Sequence, residues 1–593
     1  MMKKMISAVL ALTAIVIGHA QHWSYNESAA DWDPSDFPQT PYEVSGQVHT
    51  ATVDQAREWY QAMARQFPDR CELVDMGPSD AAWPIQVFVI SSESSDPIKV
   101  LVNNAIHPGE PEGVDACMLW VRDVLLVEGS SACNQVEYHI VLHYNVGGAL
   151  NRNSQSRANQ AGPEIYGFRG NSQNLDLNRD FIKMDSRNAE SFERYFSRFQ
   201  FDYFIDNHTS NGADYQYALT FFFTHADKLH PALKDHSLSL EATLRQDLFL
   251  EGWINAPYVQ TRDHTPESGL VGFFETGRYA TGYTALHHCI GICVETHMLK
   301  PFPQRVKATH AFLAAFSNRM ATKSMLREFQ DLELSLRRSF SSDPWVQAGD
   351  YLPIRFELST VPSDTLDFYG FQHGYRSSAV HGQDRLFYDR NSPQTFPVPY
   401  WNHYLAVDSA RVPRAYILPR GYSREVLERI GRQRGVSVVG IAKDTTMELT
   451  VSQLLSMKTS QQPYEGHYLH SQIQTVEYSR PVRLQRGDML IKVTPENALF
   501  LVNVLEPRAP DSYFAWNFFD ACLQQKEWFS DYVFEDMAAE WLETQPLVKE
   551  ELQAKMKADP EWATNAGAVL TWVYQKGPWS EPSVNEIPIY RLY

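Results

Sequence analysis

Three short apolar runs in this chain end in side chains that can do chemistry. Leu101-Val102 leads into His107-Pro108-Gly109-Glu110, Phe204-Ile205 into Asp206-Asn207-His208, and Cys293-Val294 into Glu295. Two residues separate His107 from Glu110, so one turn can aim an imidazole and a carboxylate at a single ion. His208 would supply a third donor. Two histidines and one glutamate with a fourth position open form the donor set of a catalytic zinc site. Taken alone, the H-x-x-E pair is a weak signal whose ordinary reading is a hydrogen-bonded turn, and a single His after a strand is usually structural. The conjunction at three strand ends strengthens the metal reading but does not by itself decide it.

The elements that must position these residues follow from the hydrophobic pattern. Between about 50 and 325, short apolar runs alternate with amphipathic segments, the pattern of an α/β domain with a mostly buried sheet. Strands are expected at 98–102, 138–142, 201–205 and 290–294, and helices at 54–67, 113–127, 186–198 and 303–328. In open α/β sheets ligands bind beyond the carboxyl ends of the strands, where His107, His208 and Glu295 fall. Residues 345–410 are rich in aromatics and proline with alternating polarity, which predicts β-structure. A further βαβ unit is expected over 415–441, strands over 460–505 and helices over 520–565. The predicted division is 1–20, 21–335 and 336–593.

Composition sets the outer bounds. The chain has 593 residues, 44% apolar and 21% charged, which excludes disorder and a small disulfide scaffold. Its net charge of −19 argues against nucleic acid as the partner. Residues 1–20 read as a secretory signal: Lys3 and Lys4, an apolar run from Met5 to Ile17, then the small-x-small Gly18-His19-Ala20. That run is too short to favour a stable membrane span. The mature chain is therefore expected to be soluble and exported, periplasmic or extracellular. The six cysteines identify no function; Cys293 reads as a buried structural thiol.

The segment Arg169-Gly170-Asn171-Ser172-Gln173-Asn174-Leu175-Asp176-Leu177-Asn178-Arg179-Asp180-Phe181 is the most specific stretch. With it the sequence resembles the zinc carboxypeptidases of the carboxypeptidase A/B type. That family places H-x-x-E after one strand, then R-x-N…D-x-N-R, a third His after another strand, and a catalytic Glu later. All four elements occur here in order, from His107 to Glu295, within a resemblance covering roughly 50–325. It implies a mixed, mostly parallel sheet flanked by helices, followed by a mixed α+β, β-rich accessory region.

The resemblance also implies roles. His107, Glu110 and His208 would hold one Zn2+ per chain. Glu295 would take a proton from the zinc-bound water and pass it to the leaving amine. Arg169 would stabilise the oxyanion, and Asn178 and Arg179 would clamp a free C-terminal carboxylate. Asp176 would orient a zinc-binding imidazole. A phenol is expected to cap the substrate: Tyr279 and Tyr283 are both available, and spacing favours Tyr283. The implied activity is hydrolysis of the C-terminal peptide bond of a peptide or protein substrate. A zinc amidase or endopeptidase acting on cell-wall peptides, and a non-catalytic peptide-binding relative, are the alternatives.

Some positions depart from the family pattern. Asn145-Val146-Gly147-Gly148 stands where relatives often carry Asn-Pro-Asp-Gly, and Asp180 replaces a common Asn. Arg152 and Arg157 compete with Arg169 for the oxyanion role. Glu112 reads as a solvated loop acid. His467 and His470, the pair His287-His288, and the aromatic run 513–519 read as structural.

Overall fold

The computed structural model describes residues 38–126, 134–422 and 424–593. The expected signal segment, Val127 and Cys133 lie outside the described residues. The chain divides into two compact units. One runs to Val412 and takes in Glu428–Val436 and Thr494–Val504; the other comprises Pro413–Leu427, Ser437–Val493 and Leu505–Tyr593.

The first unit is built on an eight-stranded sheet. Its strands are β1 (Cys71–Pro78), β2 (Pro84–Ile90), β3 (Ile98–Asn103), β4 (Val136–Val141), β5 (Tyr203–Ser210), β6 (Leu219–Phe223), β7 (Asn255–Ala256) and β9 (Ile290–His297), with β8 (Leu270–Val271) pairing elsewhere. The order is β1-β2-β4-β3-β5-β9-β6-β7. The central run β4-β3-β5-β9 is parallel, while β1, β2 and β6 join antiparallel. The mixed, mostly parallel sheet implied by the resemblance is therefore present. All eight residues of β5 are buried, the apolar Tyr203-Phe204-Ile205 at its start and the polar Asp206–Ser210 that follow alike.

This unit also contains helices α1 (Val53–Gln66), α2 (Glu112–Leu126), α3 (Arg187–Phe199), α4 (Pro231–Leu250), α5 (Ala280–Ala285), α6 (Phe302–Met320) and α7 (Lys323–Phe340). Thr52 and Gln55 form a capping box on α1, and Ser186 caps α3. The single helix expected over 303–328 is two helices, because Thr322 accepts a hydrogen bond from Met325 N and starts a new one.

Helix α2 lies almost wholly inside the protein, and each of its ionisable side chains is hydrogen-bonded. Asp115 accepts from Thr50 Oγ1 at 2.5 Å, Arg122 donates to Glu43 at 2.7 Å, and Asp123 accepts from His310 at 2.8 Å. Glu112, expected as a solvated acid, is 1% exposed. It accepts from Arg305 Nε and from Thr209 Oγ1, each at 2.5 Å. Sequence reading missed this because Arg305 lies 193 residues away.

Beyond α7 the expected β-structure appears as β10 (Tyr351–Leu358), β11 (Asp364–Ser377), β12 (Asp384–Trp401) and β13 (Tyr404–Arg411). The long β11–β12 hairpin continues onto β8 through Tyr400 and Trp401.

The second unit carries a six-stranded sheet of order β15-β18-β14-β19-β16-β17. Its strands are β14 (Ala415–Leu418), β15 (Val438–Gly440), β16 (Thr445–Thr459), β17 (His470–Leu484), β18 (Met489–Lys492) and β19 (Glu586–Leu592). The expected βαβ unit is split, since β18 pairs antiparallel with both β14 and β15. Arg591 and Glu506 form a buried two-pronged pair at 2.8 and 2.7 Å, with Tyr416 donating to the same carboxylate at 2.7 Å. Ala498–Leu505, all but its last residue belonging to the first unit, is a helix where strands were expected; a short run that is apolar except for Asn503 has no period that separates the two.

Candidate active site

The strand ends bring the predicted donors together. Parallel pairing sets His208 on β5 directly opposite Glu295 on β9. The turn after β3 is closed by Glu110 N donating to His107 O at 2.8 Å, which points both side chains the same way. His208 Nδ1 lies 3.1 Å from Glu110 Oε2, and His107 Nδ1 lies 3.3 Å from Oε1 yet makes no hydrogen bond. Donor atoms of His107, Glu110 and His208 all fall within 4.8 Å of one another. Two imidazole nitrogens and a carboxylate converging in a buried spot suit zinc.

The outward nitrogens of both rings are held. His107 Nε2 donates to Asp176 Oδ1 at 2.9 Å, and His208 Nε2 donates to Asp206 Oδ2 at 2.8 Å. Such carboxylate–imidazole pairs set the tautomer that leaves Nδ1 for a metal. Asp206 was not singled out from the sequence, although the D-x-H alternation on a strand puts both side chains on one face.

Asp176 also caps the turn Leu177–Arg179 by accepting from Asn178 N at 2.9 Å. Burial alone would raise its carboxyl, but His107, Arg169 and Arg179 hold it well below the usual range. Arg169 reaches Asp176 Oδ2 through Nε and Nη2 at 3.0 and 2.9 Å and remains 45% exposed. Asn178 Oδ1 accepts from Ala280 N at 3.0 Å, and the Arg179 guanidinium lies 4.4 Å over the Tyr279 ring.

Glu295 faces the same space. Burial pushes its carboxyl up to about 8 against the pull of His208, and Oε2 has no hydrogen-bond partner. Cys293, expected as a purely structural thiol, lies 3.9 Å from Glu295 Oε1 and lines the cleft. The cavity volume is ≈ 250 Å3, and its walls include His107, Glu110, His208, Glu295, Arg157, Arg169, Asn178 and Arg179. One side is aromatic: Phe222, Tyr258 and Phe273 pack with ring centroids 5.6–5.9 Å apart, and Tyr279 lies 5.2 Å from Phe273.

Two expectations need correction. Tyr283 is not at the cleft: it is 1% exposed among Phe181, Phe192 and His287, and its hydroxyl donates to Gln433 at 2.6 Å. Tyr279 lines the cleft instead. Arg152 does not compete for the site either, since it donates to Ile165 O and Thr50 O. Asp180, the departure from the family's Asn, is buried and accepts from Lys183 Nζ at 2.9 Å and from Ser186 N at 3.0 Å, which anchors the segment after Arg179.

Residues 56–212 match the family model Peptidase_M14, described as zinc carboxypeptidase. No curated protein matches the chain significantly. Among solved structures the chain is similar to a metallo-carboxypeptidase from Burkholderia cenocepacia at 14% identity and TM-score 0.35, over 47% of this chain and 70% of that one. It is similar to carboxypeptidase A from Helicoverpa armigera at 14% identity and TM-score 0.36, over 46% and 73%. A third is a metallo-carboxypeptidase from Pseudomonas aeruginosa in complex with (2-guanidinoethylmercapto)succinic acid, at 15% identity and TM-score 0.34, over 46% and 69%. The chain carries a zinc carboxypeptidase domain with an H-x-x-E…H metal site formed by His107, Glu110 and His208.

Proposed function

We propose that this chain is an exported zinc metallocarboxypeptidase that removes the last residue of a peptide with a free C-terminus. The observation that carries the reading is one cleft holding the metal triad, the buried Glu295 and the pair Asn178-Arg179. Zinc, when bound, would supply Lewis acidity and make a water acidic enough to attack near neutral pH. With a dication beside it to hold its carboxylate ionised, Glu295 accepts the proton of the attacking water and returns it to the leaving nitrogen. Arg169, the more exposed of the two cleft arginines beside Glu110, meets the charge that develops on the carbonyl oxygen.

Arg179 binds the terminal carboxylate as a fork, with Asn178 setting the direction of approach. Tyr279, beside Arg179, covers the bound end of the peptide. The aromatic wall of Phe222, Tyr258 and Phe273 receives an apolar or aromatic last side chain. Every residue lining the cleft falls between 107 and 295, which supports assigning the chemistry to 21–335 and an accessory role to 336–593. Export is read from residues 1–20, with a periplasmic or extracellular destination. Among the described residues no helix is long and apolar enough to cross a membrane.

The test is release of a C-terminal amino acid from blocked peptides by the full chain with zinc. Internal cleavage, or cleavage only of cell-wall peptides lacking a free terminal carboxylate, would refute it.

A further inference from the structure

Arg157 is engaged on every arm. Its Nε donates to Gln160 Oε1 at 2.6 Å, Nη1 to Glu110 Oε1 at 2.8 Å, and Nη2 to the carbonyl of Thr209 at 2.8 Å. Thr209 in turn donates its N–H to Glu110 Oε2 at 2.9 Å. Glu110, Arg157 and Thr209 thus close a ring of hydrogen bonds joining the turn after β3 to the strand end that carries His208. The arginine's side chain is 15% exposed, against 45% for Arg169.

The backbone makes room for this arrangement. Residue 109 is glycine, and a Cβ there would stand 2.7 Å from Arg157 Cδ and 3.2 Å from Gly167 O. Gln160, which holds Arg157 Nε, also donates to Gly109 O at 2.9 Å. The loop around 157–160 is therefore fastened to the H-x-x-E turn at both a side chain and a backbone carbonyl.

We infer that Arg157 is a positioning residue: it clamps Glu110 against the His208 strand end and so sets the affinity for zinc, rather than touching substrate. The inference rests on reading His107, Glu110 and His208 as the zinc site. A glutamate has several rotatable bonds, and fixing its carboxylate beforehand spares the ion that ordering cost. The guanidinium's positive charge works against a dication, so the sign of the effect discriminates. A clamp predicts weaker zinc binding when Arg157 is removed, whereas simple charge repulsion predicts tighter binding.

The experiment is competition for Zn2+ between a chromophoric chelator and the full-length chain, in wild type, Arg157→Met and Gly109→Ala. Gly109→Ala displaces the clamp while keeping its charge, and melting curves of the metal-free forms check folding. Both variants should bind zinc about 10- to 100-fold more weakly, the usual effect of losing a partner of a metal ligand. Unchanged or tighter binding in both variants overturns the clamp. So does wild-type zinc affinity combined with a collapse of kcat in Arg157→Met, which would place the guanidinium on the substrate. A wild type that holds no zinc would instead refute the metal-site reading itself.

Discussion

His208 and Glu295 are register partners on adjacent parallel strands, so the expected metal ligand and the expected proton carrier leave the sheet side by side. That pairing places the acid next to the His208 donor by backbone hydrogen bonds alone, without help from a loop. The Glu295→Gln variant should fold, keep its zinc and lose turnover by about 10²–10⁴-fold, because an amide cannot carry the proton. Metal analysis beside steady-state rates checks this, and a variant as active as wild type would remove Glu295 from the chemistry.

Asp206 and Asp176 each hold one imidazole. Asp206→Asn and Asp176→Asn should each weaken zinc binding about 10- to 100-fold, since an amide holds the Nε2–H less firmly and the ring can turn. Equilibrium dialysis against zinc would show it. Asp176→Asn should cost more, because Asp176 also anchors Arg169 and caps the turn bearing Arg179. Equal zinc affinity in wild type and both variants would contradict the assignment.

Acid should destabilise the protein through its buried histidines. Burial holds His287 down at about 3 and His143, His288 and His297 down at about 4, all below the ordinary 6.5. Between those values and 6.5 the unfolded chain binds more protons than the folded one. Stability from these groups is therefore complete above about pH 6.5 and lost as pH falls toward the folded values. Each contributes a slope of about 1.4 kcal/mol per pH unit in that window. Urea unfolding at pH 7 and pH 5 should show the loss, with a shallower one in His287→Gln. An identical pH dependence in that variant would count against it.

Peptides differing only in their last residue test the aromatic wall. Those ending in Phe, Tyr or Leu should surpass those ending in Ala or Asp by about 10- to 100-fold in kcat/KM, the range that contacts within an apolar pocket supply. A preference for Lys or Asp would mean that the last side chain goes elsewhere.

The metal site was legible because its residues lie at strand ends, and buried strands announce themselves by short apolar stretches such as Tyr203–Ile205 and Ile290–Val294. The order of motifs supplied the rest of the cleft. What stayed hidden depended on side chains meeting across long separations. Nothing near Arg157 reveals that it reaches Glu110, 47 residues earlier. Tyr279 and Tyr283 are separable only by the packing of α5, which turns Tyr283 into a cluster of Phe181, Phe192 and Phe196 and leaves Tyr279 at the cleft. Glu112 looked solvated for the same reason, its partner Arg305 being far along the chain.

Arg179 should read a free C-terminus beside the zinc site, and matched free-acid and C-terminally amidated peptides test this directly. The decisive measurement is kcat/KM for both forms, with the zinc-loaded full chain as wild type and as Arg179→Ala. Losing a buried charged contact costs about 2–5 kcal/mol, which corresponds to roughly 30-fold to several thousand-fold. Wild type should therefore favour the free acid by a factor in that range. Arg179→Ala should lose most of that preference while its zinc content stays unchanged. Equal cleavage of acid and amide by the wild type would contradict the account and favour an amidase.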